Sequence, residues 1–269
     1  MPELPEVQAV INALQLDITG QEIRIFKLNW PKTLQNPRLK EFESKIIGQR
    51  IIACHRHGKW IILEIESGNI LIHLRMSGKL YFSQGLPVEQ KYIRARFQLD
   101  NGFLNFEDVR KFGRILFVES FNPKLFKLGL DFLNTELDEK HLQHKFKSSK
   151  RNIKTLLLDQ SVSAGLGNIY VDEILWVCGI HPETMGKDVP GIKLAEIIIN
   201  GREILSRAIT SKGTSILSFE VKPGEPGGYK KYLKVYGRER NNCFRCNEHI
   251  IKIRAAGRGT YLCPACQVK

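Results

Sequence analysis

The last 27 residues carry the tightest constraint in the chain: Cys243, Cys246, Cys263 and Cys266 form a C-x2-C-x16-C-x2-C pattern. Two such pairs can each sit on a tight knuckle and close four thiolates into a tetrahedron around Zn²⁺, as in a zinc ribbon. Four thiolates leave no open position for water, so the ion is expected to be structural rather than catalytic. The alternative is a redox or disulfide pair, which a reducing compartment disfavours. Cys54 lies in an apolar strand-like run and Cys178 in an apolar helix-like run, and both are read as core thiols.

The rest of the composition bounds the partner. Lys and Arg number 41 against 28 Asp and Glu, a formal net charge of +13. Such a surplus favours a polyanion, because cations that neutralise phosphates release condensed counterions. The plainer alternative is a basic protein with no such partner. A hydrophobic share of 42% excludes a disordered or collagen-like chain. The 269 residues suggest about two domains, and no run approaches the ~18 apolar residues of a membrane span. Glu3, Glu6 and Asp17 precede the first cation, Arg24, so neither a signal peptide nor a transit peptide fits, and a cytoplasmic location is expected.

Periodicity then orders the chain. Val7, Val10, Ile11 and Leu14 follow Pro5 at helical spacing, with a stop at Gly20. Residues 23–28, 50–55, 60–65, 70–74, 95–99, 103–106 and 115–118 read as strands, with turn signals at Ser67-Gly68-Asn69 and Asp100-Asn101-Gly102, which predicts a β-sandwich or barrel. Residues from about 140 to 212 read as helical, broken at Gly165-Leu166-Gly167-Asn168 as a helix-turn-helix would be. Residues 213–231, rich in Gly, Pro and Lys, read as a loop long enough to be functional or disordered. In the tail, 250–254 and 260–263 read as a hairpin with Gly257-Arg258-Gly259 at its tip.

Several blocks carry a resemblance. Pro2-Glu3-Leu4-Pro5-Glu6, Arg56-His57-Gly58-Lys59, His73-Leu74-Arg75-Met76-Ser77-Gly78, Asp108-Val109-Arg110-Lys111-Phe112-Gly113 and Ala164 to Tyr170 stand in order ahead of the cysteine tail. Together they resemble the formamidopyrimidine/endonuclease VIII family of DNA glycosylases, from Pro2 to Gln267. The resemblance implies an α+β chain. Its parts are an N-terminal β-sandwich flanked by helices (residues 1–130), a helical helix–two-turn–helix domain with a lesion-covering loop (131–231), and a β-hairpin zinc finger (232–269). It also implies a monomer bound to damaged double-stranded DNA, with one Zn²⁺ on the four cysteines.

The implied activity is excision of oxidised purines, 8-oxoguanine and formamidopyrimidines, followed by β,δ-elimination of the strand. Cutting an N-glycosidic bond by imine formation needs a neutral amine. An α-amino group titrates near 7.7–8.0 and a lysine near 10.4, which favours the chain terminus. By resemblance, Pro2 is that amine once Met1 is removed. Glu3 is then the proton shuttle, and Lys59 the lysine near the lesion or its phosphate. Read without the resemblance, Pro2 is a stiff residue near a chain end, Glu3 and Glu6 are acids suited to a helix N-terminus, and Lys59 is a surface charge. A stacked base is out of reach, so it must be extruded and its gap filled. Met76, Arg110 and Phe112 match the family's gap-filling residues, while Asn168 and Arg258 match its phosphate contacts; otherwise Met76 and Phe112 are core residues and Arg258 an exposed loop cation.

Leu4, Met76, Arg110 and Phe112 side with the purine-specific type rather than the pyrimidine-specific endonuclease VIII type. Departures from the family pattern occur at Leu130-Asp131-Phe132, where a softer hinge is implied, at Lys91-Tyr92-Ile93-Arg94, where two histidines are common, and at Lys230. The rivals are a pyrimidine-specific glycosylase of the same fold, a zinc-ribbon DNA-binding protein without catalysis, and a helix-turn-helix repressor.

Overall fold

The computed structural model describes residues 1–87, 89–216 and 219–269. The chain packs into two compact units, residues 1–122 with 209–230, and residues 123–208 with 231–269. This grouping differs from the expected succession of three segments. The zinc tail packs with the helical segment, and residues 213–230 pack with the N-terminal sheets. No helix among the described residues is long and apolar enough to cross a membrane.

The first unit opens with helix α1 (Leu4–Ile18), whose buried Val7, Val10, Ile11, Leu14 and Ile18 form the expected apolar stripe. Pro5 takes the second helical position, and Gly20, at φ +83°, turns the chain after the helix. The strands are β1 (Ile23–Leu28), β2 (Leu34–Asn36), β3 (Ile51–His57), β4 (Trp60–Ile65), β5 (Gly68–His73), β6 (Gly78–Ser83), β7 (Ile93–Leu99), β8 (Gly102–Asp108) and β9 (Arg114–Val118). They form two sheets, in the orders β1-β7-β8-β6 and β2-β9-β5-β4-β3. Leu80, Phe97 and Phe106 of the first sheet and Ile61, Leu63, Ile72 and Ile115 of the second share one core with α1, so the sandwich is as expected.

Among the elements of this unit that escaped the sequence reading are β2, β6 and a second helix. Helix α2 (Leu39–Ile46) holds on by only Phe42 and Ile46, too few positions to register as a period. Strand β6 lies within and beyond the block His73 to Gly78, and begins on a glycine whose Cβ would lie 2.4 Å from the Leu74 carbonyl oxygen.

The second unit contains β10 (Leu130–Asp131), α3 (Glu139–Phe146), α4 (Ile153–Leu158), β11 (Ser163–Ala164) and α5 (Asn168–Cys178). Most of α6 (Gly191–Thr210) belongs to it as well. β10 pairs in parallel with β11, the Phe132 N–H donates to the Ala164 carbonyl at 2.9 Å, and the Phe132 ring is fully buried against Gly201.

Residues 213–231 are not wholly irregular. The short strands β12 (Glu220–Lys222) and β13 (Glu225–Pro226) pair there, with β12 against α1 and β6, and Lys79 bonds Glu220 at 2.8 Å. Leu217 and Ser218 of this segment lie outside the described residues. The tail hairpin is β14 (Ile251–Ala255) and β15 (Arg258–Leu262), with Ala256-Gly257 as its turn. Arg258 therefore pairs with Ala255 as the first strand residue, rather than sitting at the centre of the tip.

Candidate active site and metal centre

Pro2 is buried, and Glu3, 3% exposed, is the N-cap of α1. Glu3 and Glu6 form a capping box in which the Glu3 N–H donates to Glu6 Oε2 at 2.8 Å. Glu6 does more than suit a helix end. Its other oxygen accepts the Thr214 N–H at 2.7 Å, and Gly213, at φ +80°, lies so close that a Cβ there would be 2.9 Å from the Glu6 carboxylate. One buried carboxylate thus links the chain start to the beginning of the 213–231 segment, a contact that local sequence cannot signal.

Lys59 is the second residue of the two-residue β3–β4 turn, which Gly58 permits at φ +58°. The turn folds inward, and Lys59 is 6% exposed rather than a surface charge. Its neighbour His73 ends β5 opposite Trp60, packs edge-on to that ring at 4.8 Å, and accepts the Arg75 N–H on Nδ1. Burial, then Arg75, Lys59 and Arg114, lowers the His73 pKa to about 3. The folded ring is neutral at pH 7, whereas the unfolded ring titrates near 6.5. Between those values the unfolded chain binds the extra proton, so this stabilisation is present above about pH 6.5 and lost as pH falls toward 3. Replacing His73 with Gln is expected to flatten the dependence of unfolding free energy on pH between 6 and 4 by up to about 1.4 kcal/mol per pH unit. Urea melts at several pH values check this, and parallel curves for the two proteins would overturn it.

The gap-filling candidates are brought together. Pairing of β6 with β8, Gly78 opposite Asp108, sets the segment before β6 beside the segment after β8. Met76 is 45% and Phe112 49% exposed, and the Arg110 guanidinium lies 4.9 Å from the Phe112 ring. Neither apolar side chain is a core residue. Lys111 adopts φ +60°, an unusual conformation for a side-chain-bearing residue, with its ammonium 4.0 Å from the Trp30 ring. In the divergent stretch at 91–94, Arg94 is 9% exposed and donates from Nε to the Asp108 carbonyl at 2.7 Å, a structural job.

In the second unit, Asn168 is the first residue of α5 and donates its amide to the Gly259 carbonyl at 2.9 Å. At least one of its N–H donors therefore holds the hairpin beside Arg258, which is itself exposed. Gln160 shapes the turn before α5, donating to the Leu158 and Leu166 carbonyls and accepting the Gly165 N–H. A buried pair, Lys154 with Asp172 at 2.6 Å, reaches the hairpin through Thr260 (2.7 Å) and the Tyr261 N–H (2.9 Å). Burial pushes the Asp172 carboxyl up to about 7 against the pull of Lys154. The neighbouring Glu173 accepts the N–H groups of Lys234, Val235 and Tyr236. The sequence reading assigned none of Lys154, Asp172 and Glu173, because partners up to 106 positions away leave no local pattern.

The four tail cysteine sulfurs lie within 4.8 Å of one another, with Cys243–Cys266 at 3.9 Å and Cys246 at 3.4 Å from both Cys263 and Cys266. A tetrahedron with Zn–S near 2.3 Å has edges of about 3.8 Å, so the set fits one Zn²⁺. Burial opposes a thiolate at Cys243, but the N–H groups of Arg245 and Cys246 favour it and bring its pKa to about 6, whereas burial and the neighbouring thiols raise those of Cys263 and Cys266. Cys54 and Cys178 are buried and held protonated by burial, with pKa values of about 12 and 11, as core thiols should be.

Three family descriptions match this chain. They are the formamidopyrimidine-DNA glycosylase N-terminal domain at residues 1–115, the formamidopyrimidine-DNA glycosylase H2TH domain at 128–220, and a zinc finger found in FPG and IleRS at 243–268. A formamidopyrimidine-DNA glycosylase of Mycoplasma genitalium is 40% identical, covering 99% of this chain and 96% of the relative. Among solved structures, a Lactococcus lactis FPG mutant in complex with Fapy-dG-containing DNA gives a TM-score of 0.92 at 35% identity, over 100% of both chains. MutM in complex with carbocyclic 8-oxo-G-containing DNA gives 0.91 at 35%, again over 100% of both.

Proposed function

The chain belongs to the formamidopyrimidine-DNA glycosylase family, and from that premise we propose that it is a bifunctional DNA glycosylase and AP lyase of base excision repair that removes oxidised purines. One observation carries the purine reading. The chain is similar along its whole length to chains solved on Fapy-dG and 8-oxo-G DNA, and it keeps a buried Pro2-Glu3 start with exposed Met76, Arg110 and Phe112. It acts as a monomer on damaged double-stranded DNA inside the cell.

Removal of Met1 makes Pro2 the terminal secondary amine. Its neutral nitrogen bonds C1′ of the damaged nucleotide as the glycosidic bond breaks and the base leaves with a proton. Glu3 delivers a proton to the ring oxygen as the sugar opens to an iminium. Loss of a 2′ proton then expels the 3′ phosphate, a further elimination expels the 5′ phosphate, and water releases the remnant from Pro2. Burial of Lys59 in the same unit supports an ammonium held near this chemistry, and the fixed cation favours the neutral amine. Zn²⁺ on Cys243, Cys246, Cys263 and Cys266 takes no part in bond making and holds the hairpin that carries Arg258.

Borohydride reduction on a duplex with one 8-oxoguanine opposite cytosine tests the assignment, run beside thymine-glycol and undamaged duplexes. A covalent adduct mapping to Pro2 on the 8-oxoguanine strand is expected. Trapping only on thymine glycol would move the protein to the pyrimidine-specific type. No adduct on any duplex, with Met1 shown to be absent, would leave a DNA-binding protein without the chemistry.

A further inference from the structure

Asp108, the last residue of β8, is 1% exposed and has been given no part in the reaction so far. Its carboxylate gathers both segments that carry the gap-filling side chains. Oδ1 accepts the Ser77 hydroxyl and the Arg110 N–H at 3.1 Å, and Oδ2 accepts the Phe112 and Gly113 N–H groups at 2.7 Å each. Ser77 Oγ also receives the Arg110 N–H at 3.2 Å, and Arg94 holds the Asp108 carbonyl from behind. Gly113 closes the loop where a Cβ would lie 2.3 Å from the Phe106 ring. Met76 and Phe112 stand about half exposed, so the backbone beneath them has to fix their direction.

We propose that Asp108 is a positioning residue that sets Met76, Arg110 and Phe112 as one rigid unit for insertion into the duplex. This rests on the reading of those three as gap fillers. The chemistry asks for a carboxylate, because two oxygens with about four lone-pair sites meet four donors. Asparagine keeps one oxygen and turns an NH₂ group toward donors on the other side, so one segment loses its hold. Filling the gap matters only where a stacked base is replaced, and a strand without a complement has no gap to fill.

The experiment uses the full-length zinc-loaded protein and its Asp108→Asn and Ser77→Ala variants. One readout is single-turnover excision of 8-oxoguanine from a duplex with 2-aminopurine beside the lesion, whose fluorescence reports unstacking. The other is strand cleavage at an abasic site in single-stranded DNA. Asp108→Asn is expected to slow duplex excision and the fluorescence change together by about tenfold or more, with single-strand cleavage within about threefold, since small misplacements are costly only where geometry must be met. Ser77→Ala should move the same way by a smaller factor, and carries the test if Asp108→Asn does not fold. Equal loss on both substrates, or unchanged duplex excision, would overturn the proposal. A Met76→Ala/Phe112→Ala double variant separates the two readings. If it leaves both duplex signals unchanged, the gap-filling reading fails and the proposal falls with it. If it lowers them while Asp108→Asn does not, the Asp108 assignment alone is overturned.

Discussion

Replacing Pro2 with glycine is expected to reduce base excision and borohydride trapping by about a hundredfold or more, since displacing a nucleophile by an ångström is enough for a loss of that order. Glycine keeps a terminal amine, so the loss tests the secondary amine and its placement rather than a bare nitrogen. A secondary amine passes directly to a cationic iminium, and the pyrrolidine ring fixes the direction of the lone pair, whereas glycine brings free rotation to a buried position. Duplex affinity should stay within a few-fold of wild type, because Arg110, Asn168 and Arg258 are all retained. Single-turnover kinetics and fluorescence anisotropy separate the two effects, with intact mass used to show that Met1 is absent from both proteins. Full activity in the glycine variant would show that the reaction does not need the secondary amine or the ring of Pro2.

Stripping the zinc should have the largest effect on structure. In isolated finger peptides the ion contributes roughly 10 to 16 kcal/mol. Here the core beneath the tail is small, made of Trp176, Val235, Cys243, Ile250 and Cys263, and two of those five are ligands. Chelation is therefore expected to unfold the β14–β15 hairpin and expose Trp176, seen as a change in its fluorescence. The helices of the second unit should remain, since Ile153, Leu156, Val171, Ile174 and Leu205 are buried and none belongs to the cluster beneath the tail. Duplex affinity should fall by about tenfold or more, and the slope of log K against log salt should shrink by about one, as one phosphate contact is lost. Arg258→Ala with its zinc in place should reproduce the change in slope without the fluorescence change. Unaltered binding by the zinc-free protein would show that the hairpin contributes nothing to DNA affinity.

The site was legible where its signals are local. Four cysteines at fixed spacing declare their metal because thiolate chemistry and knuckle geometry both act over a few residues. α1 could be read from period alone, with its buried face repeating at helical spacing. The blocks at 2–6, 56–59, 73–78, 108–113 and 164–170 pointed to the family, and the relatives and solved structures agree with it.

Tertiary structure decided what those blocks do to one another. Lys59 reads as a surface cation until the β3–β4 turn folds it inward. Asp108 is an unassigned letter in a motif until the β6–β8 register brings Ser77, 31 positions away, onto its carboxylate. The loop at 213–231 reads as a free cover until Glu6, 208 positions earlier, takes the Thr214 N–H. Hydrophobic period and residue spacing record only what neighbours along the chain must do, since helix and strand repeats are set by local backbone geometry. Which buried donor meets which distant acceptor depends on sheet register and core packing, and those are fixed only when the whole core closes at once.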